Sequence, residues 1–329
     1  MASAEQIKAL LKSHLDGDEA HFYAVAMQVA AHEAKLGHSK IAHELRTLID
    51  EAKGRNGAVM GTAQRGPVPI TQPRGELASL LTVSYPKLRL PDMILDGSVH
   101  DRLVRIVKEH RQIAKIRSFG LAPRKKLMLV GPPGTGKTMS ATVLAGELGL
   151  PLFVVRLDSM ITKFMGETAA KLRLIFEAIS RSRGVYLFDE FDSIGSQRGL
   201  TNDVGEIRRV LNSFLQLIEQ DDSDSLLLAA TNHPEILDHA LFRRFDDVIE
   251  YGLPDQESII AALQAKLAVF NKTKLDWSKL AGNAIGLSYA DITRACEDAI
   301  KDAIIHDREK ITTDDVQRTL SERKPLQSK

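Results

Sequence analysis

Short apolar runs alternate with longer amphipathic stretches through the middle of the chain. Residues 127–130, 151–157, 184–189, 226–231 and 248–253 are almost continuously apolar. Runs of this length read as strands buried on both faces. Between them, 139–148, 169–180 and 204–219 repeat their apolar positions at helical spacing. A further helix over 99–116 precedes the first of these strands, with Leu103, Ile106, Val107 and Ile113 on one stripe. Strands alternating with helices predict an α/β architecture, a mostly parallel sheet covered on both faces.

The pattern changes at both ends. After residue 255 no strand signal remains. Ile259, Ile260, Leu263 and Leu267 mark one helix. Ser288 with Asp291 can cap another, which carries Ile292, Ala295, Ala299 and Ile300, and Thr313 can cap a last one. Residues 255–329 therefore read as a separate helical lid. Before residue 55, three short helices are expected, with stripes Ile7/Leu10/Leu11/Leu15, Phe22/Val25/Val29/Ala30 and Ile41/Leu45/Leu48/Ile49. They predict a small three-helix bundle over 1–54 that binds a partner or substrate, or else aids assembly. Residues 55–84, punctuated by glycine and proline, read as a linker. The α/β subdomain is then 85–254.

Composition narrows the classes. A net charge of +1 leaves no overall footprint for nucleic acid or an anionic membrane. One cysteine, Cys296, excludes an internal disulfide and fits a reducing compartment. The first residues lack a leader pattern, and no apolar run approaches the ~18 residues of a membrane span. The expectation is a cytoplasmic protein with no membrane partner. His14, His21, His32, His38 and His43 crowd the N-terminal segment, but none stand at i,i+4 and no H-E-x-x-H occurs. They read as solvated helix-face residues rather than a metal site. The basic stretch Arg105, Lys108, Arg111, Lys115, Arg117, Arg124, Lys125 and Lys126 lacks interleaved aromatics. It reads as a solvated or intersubunit face, with nucleic acid as the alternative.

Candidate chemistry begins where the first central strand breaks into Gly131-Pro132-Pro133-Gly134-Thr135-Gly136-Lys137-Thr138, followed by a helix opening at Met139. Strand, G-x-x-x-x-G-K-T and helix define a P-loop, so ATP is the expected ligand of residues 131–139. The glycines let successive N–H groups turn toward phosphate oxygens, and the helix N-terminus adds free donors. Lys137 is suited to the β/γ-phosphates, and the Thr138 hydroxyl to Mg²⁺. A second strand, Val185-Tyr186-Leu187-Phe188, ends in Asp189-Glu190, the Walker B pattern. Asp189 suits Mg²⁺ and Glu190 suits activation of the attacking water. Asp192 reads as a cap or as part of a hydrogen-bond network rather than a metal contact.

With these motifs the chain resembles an AAA+ ATPase of the classical AAA family over about residues 85–322. The resemblance implies a P-loop NTPase parallel sheet, the AAA+ αβα core, with a C-terminal helical lid. It also implies Mg²⁺-dependent ATP hydrolysis by a homo-oligomer, a hexameric ring in most members. Residues 231–246 resemble the second region of homology. Asn232 stands at the sensor-1 position, which orients water, and Arg243 and Arg244 match arginine fingers that reach a neighbour's γ-phosphate. Gly286-Leu287-Ser288-Tyr289-Ala290-Asp291-Ile292 resembles the sensor-2 stretch, with Tyr289 in place of the usual small residue. Lys163-Phe164-Met165 resembles pore loop 1, which grips an extended polypeptide in the ring channel. A Phe–Met pair suits sequence-tolerant apolar contact, the alternative being packing in the core. Residues 196–203 are a weaker second pore loop. The implied function is threading, unfolding or disassembly of protein substrates, with any proteolysis left to a separate partner. A nucleic-acid-associated ATPase and a nucleotide-switched scaffold are the alternatives.

Overall fold

The computed structural model describes residues 75–324, except 161–164, 194–203, 238 and 271–273, and the isolated positions 25, 26, 29, 47 and 73. The chain separates into two units, Met1–Pro67 and Val68–Lys329. In the first, Val25 and Val29 are helical and buried. The three-helix bundle and histidine cluster expected there otherwise lie outside the described residues, as does most of the linker.

The second unit contains strands Leu81–Ser84 (β1), Lys126–Val130 (β2), Leu152–Val155 (β3), Val185–Phe188 (β4), Leu226–Thr231 (β5) and Asp247–Glu250 (β6). They form one sheet in the order β1-β3-β4-β5-β2-β6. All neighbours are parallel except β1, which runs antiparallel to β3 with Leu81 opposite Val155. The sheet therefore starts inside the stretch that the sequence assigns to the linker. A four-residue edge strand is too short to display a period, and its pairing is visible only in three dimensions.

The longer helices are Gly97–Arg111 (α1), Lys137–Leu148 (α2), Met165–Arg181 (α3), Val204–Gln220 (α4), Gln256–Leu267 (α5), Trp277–Ala284 (α6), Tyr289–Ile305 (α7) and Thr313–Glu322 (α8). The helix expected over 99–116 is two helices. It breaks at Gln112, and a short second piece runs Ile113–Ser118. α6, which the apolar pattern did not signal, starts at an Asp276 N-cap. The cap of α8 is Thr312 rather than Thr313, in a reciprocal box with Asp315.

Strand alternation divides the core. Leu127, Leu129, Leu187, Leu228 and Ala230 pack beneath α1 and α2. Met128, Val130, Tyr186, Phe188 and Ala229 pack on the other face with α3 and α4. There Phe176, Phe188, Phe191 and Phe214 form an aromatic cluster with centroids 4.8–6.1 Å apart. β5 is buried at all six positions, as expected of a strand flanked by neighbours and covered on both faces. The lid has its own core, built from Ile259, Leu263, Ile292, Ala295, Ala299 and Val316 among others.

Helix α2 approaches the backbone before α1 very closely. A Cβ on Gly146 would lie 2.1 Å from the Leu88 carbonyl oxygen. The neighbouring Glu147 holds this segment in place: its Oε1 accepts from the Leu90 N–H at 3.1 Å, and its Oε2 accepts from Arg111 at 2.6 Å. Gly146→Ala is thus expected to destabilise the fold by about 1–3 kcal/mol, despite the better helix propensity of alanine. Urea unfolding midpoints measure it.

His110 is buried on α1, with Nε2 donating to the Arg124 carbonyl at 2.7 Å and Nδ1 without a partner among the described residues. Burial pushes its pKa below the ordinary 6.5. Below that value the unfolded chain binds a proton that the folded chain resists, so His110 costs stability as pH falls. The advantage of wild type over His110→Gln is therefore expected to shrink between about pH 8 and about pH 5, as read from urea midpoints.

Candidate active site

Because β2, β4 and β5 are parallel, their C-terminal ends share one edge of the sheet. The P-loop leaves β2 there, Asp189 and Glu190 leave β4, and Asn232 leaves β5, which lies between the other two. Ligand sites of open parallel sheets form at such edges.

The loop is shaped by its glycines. Gly131, Gly134 and Gly136 have φ of 144°, 74° and 104°. A Cβ on Gly131 would meet the Tyr251 carbonyl oxygen at 2.2 Å, so that position has neither the dihedral nor the room for a side chain. Pro132 and Pro133 are exposed on the loop, whereas Thr135 is buried and its hydroxyl donates to the Pro132 carbonyl at 2.8 Å. Lys137 is buried, and its Nζ donates to the carbonyls of Gly131 and Pro132, both at 2.7 Å. Burial lowers its pKa, while the carboxylates of Asp189 and Asp192 oppose that shift. Met139, one residue beyond Thr138, is partly exposed at the start of α2.

Thr138 and Asp189 meet across the site. The Thr138 hydroxyl donates to Asp189 Oδ2 at 2.7 Å, and Asp189 Oδ1 accepts from the Glu190 N–H at 2.9 Å. Two hard oxygens converge here, which fits Mg²⁺, an ion that fills its remaining positions with water and phosphate oxygens. Among the described residues no group of three or more His, Cys, Asp or Glu side chains is placed to form a metal cage.

Glu190 has φ of +50°. A non-glycine residue there costs on the order of 1–3 kcal/mol and persists only where its surroundings impose it. Here the Glu190 carbonyl accepts from Ser193 N–H, and the next residue, Phe191, donates its N–H to the Ala230 carbonyl, both at 2.8 Å. The turn leaves the Glu190 side chain exposed beside Asp189. Asp192 Oδ1 accepts from the Thr231 hydroxyl at 2.9 Å and from the Asn232 N–H at 3.2 Å, the network reading of that residue.

The two candidate arginine fingers differ. Both are exposed just after the short helix His239–Phe242. Arg244 is ion-paired with Glu219 of α4. Arg243 has no ion pair among the described residues. Of the residues expected to form a pore loop, Lys163 and Phe164 lie outside the described residues. Met165 opens α3, and nothing is described of its side chain. Residues 196–203 also fall outside.

The basic stretch is largely neutralised. Arg105 pairs with Glu109, Arg111 with Glu147, Arg117 with Asp224, Arg124 with Glu109 and Lys125 with Asp221. A phosphate-binding surface needs free cations, and these are committed to carboxylates of the same chain.

The lid touches the P-loop directly. Ala290 N–H donates to the Gly134 carbonyl at 3.1 Å, at the N-terminus of α7, where Ser288 and Asp291 cap the helix reciprocally. A cleft beside this contact is lined by Leu95, Asp96, Val99, Thr135, Asp255, Ser258 and Tyr289, among others. Asp96 and Asp255 cap α1 and α5, and the sequence analysis singled out neither. Their convergence depends on how the lid folds back onto the sheet.

Comparison with known proteins accords with this geometry. Residues 127–253 match the model of the ATPase family associated with various cellular activities (AAA). The chain is 35% identical over 324 residues to y4kL, an uncharacterized AAA family ATPase of Sinorhizobium fredii, covering 98% of this chain and 96% of that one. It is 36% identical over 212 residues to a proteasome-activating nucleotidase of Methanococcus maripaludis, covering 61% and 51% of the two chains. It is 33% identical over 232 residues to the ATP-dependent zinc metalloprotease FtsH 4 of Sphaerobacter thermophilus, covering 68% and 35%. The crystal structure of the FIGL-1 AAA domain superposes with a TM-score of 0.63 at 24% identity, over 80% of this chain and 94% of that one, a likeness of fold. The chain belongs to the classical AAA family of AAA+ ATPases. It is an ATP-hydrolysing enzyme, and it spans about half the length of the nucleotidase it matches. Among the described residues no helix is long and apolar enough to cross a membrane.

A Cβ on Gly134, whose φ is already positive, would lie 2.5 Å from Ser288 Oγ and 2.9 Å from Ala290 Cβ. Gly134→Ala is therefore expected to lever the lid off the loop and weaken nucleotide affinity on the order of tenfold, about 1.4 kcal/mol. A fluorescent-nucleotide titration reads this.

Proposed function

We propose that the protein is a ring-forming AAA ATPase that couples ATP hydrolysis to remodelling of a protein substrate. The observation that carries the hydrolytic half is the Thr138–Asp189 hydrogen bond with Glu190 beside it. Residues 131–139 hold the phosphates, and Lys137 exchanges its loop carbonyls for β/γ-phosphate oxygens. Thr138 and Asp189 would hold Mg²⁺, which would supply positive charge to offset that of the transferring phosphoryl group. Glu190 accepts a proton from the attacking water, and the Asn232 amide orients that water. Arg243, exposed and without an ion pair among the described residues, reaches across to the γ-phosphate of the next subunit. Arg244 contributes once it leaves Glu219.

The remodelling half is supported by two relatives whose names concern proteins as targets, a nucleotidase that activates a proteasome and an ATP-dependent metalloprotease. This chain contains neither H-E-x-x-H nor G-x-S-x-G, so any cutting falls to a partner. Residues 1–54 recruit the substrate or partner, and Phe164 and Met165, with Lys163, grip the polypeptide in a hexameric pore. The nucleic-acid reading loses its main support with the ion pairing of the basic stretch.

Glu190→Gln is expected to bind ATP while hydrolysing it at least about 100-fold more slowly, and so to hold its target. Purified from its native cell with ATP, it should retain a defined protein that is absent without ATP. The same capture should be lost when Phe164→Ala is added. Capture that survives Phe164→Ala overturns threading, and nuclease-sensitive material in its place moves the assignment to nucleic acid.

A further inference from the structure

β4 and its turn supply three carboxylates, and the hydrolytic reading uses two of them. The third, Asp192, makes both of its recorded hydrogen bonds to the end of β5: to the Thr231 hydroxyl at 2.9 Å and to the Asn232 N–H at 3.2 Å. Thr231 is fully buried, and its hydroxyl also accepts from the His233 N–H at 3.0 Å. Asp192 and Thr231 together thus hold the backbone on either side of Asn232.

That backbone needs holding. The β2–β5 ladder ends with Val130 opposite Thr231, and the β4–β5 ladder ends earlier, with Phe188 opposite Ala229. Asn232 is the first residue past both ladders. Its N–H has no strand partner, and an unpaired, half-buried amide would be costly and poorly directed. A carboxylate is a stronger acceptor than a carbonyl, so it fixes that N–H more firmly than a continued ladder would.

We propose that Asp192 is a positioning residue for hydrolysis, setting the backbone from which Asn232 presents its amide to the attacking water, and is not a ligand of Mg²⁺. The proposal rests on the reading of Asn232 as the water-orienting residue. It assigns the three carboxylates three roles: Asp189 meets Thr138, Glu190 is exposed for proton transfer, and Asp192 ties the β4 turn to β5. The same tie couples them mechanically, because a shift of the Glu190 turn moves Asn232 with it.

The test uses the full chain with Asp192→Ala, Asp192→Asn, Asn232→Ala, Thr231→Val and the double variant Asp192→Ala/Asn232→Ala. The readouts are kcat, KM for ATP, the Mg²⁺ concentration for half-maximal rate, fluorescent-nucleotide affinity and Tm. Asp192→Ala is expected to lower kcat on the order of 10–100-fold, with KM and the Mg²⁺ requirement within about twofold of wild type. Asp192→Asn keeps an oxygen that accepts both bonds, so it should recover most of the rate. The double variant should be no slower than Asn232→Ala alone, the signature of two residues acting as a unit. Should Asp192→Ala not fold, Thr231→Val, which removes the shared hydroxyl, must show the same loss of kcat at unchanged KM.

A Mg²⁺ requirement raised about tenfold in both Asp192 variants makes Asp192 a metal ligand and overturns the proposal. Losses that multiply in the double variant overturn it too. If Asn232→Ala is slow while Asp192→Ala is not, positioning fails and the role of Asn232 stands. If Asn232→Ala itself retains kcat, the sensor reading fails and the proposal with it.

Discussion

The hydrogen bond from Thr138 to Asp189 joins residues 51 positions apart, and the site depends on the sheet order that allows it. β5 lies between the P-loop strand and the carboxylate strand. Two parallel strands separated by a third are roughly 10 Å apart, too far for direct backbone contact but within reach of side chains that lean inward from the strand ends. The middle strand is then buried at every position, since both faces and both edges are covered; it is apolar up to Thr231, whose hydroxyl is hydrogen-bonded, and its first residue past the ladder falls between the two halves of the site. Burial of β5 and placement of Asn232 are consequences of one topology.

The P-loop is held from three directions. Gly131 lies against the backbone after β6, Gly134 against the first turn of lid helix α7, and Lys137 is folded onto the loop's own carbonyls. None of these approaches tolerates a Cβ or a shorter cation. The loop therefore senses the lid through ordinary packing. A hydrogen bond from Ala290 to Gly134 links a domain of separate hydrophobic core to the phosphate site. Any reorientation of the lid is transmitted at that contact, the kind of small, stiff coupling through which nucleotide state reaches the rest of such a molecule.

Electrostatics separates structural charge from functional charge. Most of the cations of the 105–126 stretch are paired with carboxylates on α1, α2 or the turn before β5: one pair lies within α1, one joins α1 to α2, and two reach the turn before β5. Arg243 stands apart, exposed and without such a partner among the described residues. Lys137 is held in a buried place where its charge is disfavoured by desolvation, an effect that two acidic neighbours offset only in part. A charge kept at that cost suits a group that neutralises phosphate.

Much of this was legible in the sequence because it is local. The glycine spacing, the Asp189-Glu190 pair at a strand end, the apolar runs of β2 to β5 and the capping pair Ser288/Asp291 are all set within a few residues by backbone geometry and hydrophobic period. β1, the break at Gln112, the close approach of Gly146 to Leu88 and the cleft around Tyr289 were not legible, because each depends on residues distant in the chain. Asp192 lies on that boundary. Its position after β4 marked it as a hydrogen-bonding residue, but only strand order decided that its partners would be Thr231 and Asn232. Period and motif determine which side chains reach the edge of the sheet. Which of them meet is decided by the order in which strands pack, a long-range choice that no local pattern encodes.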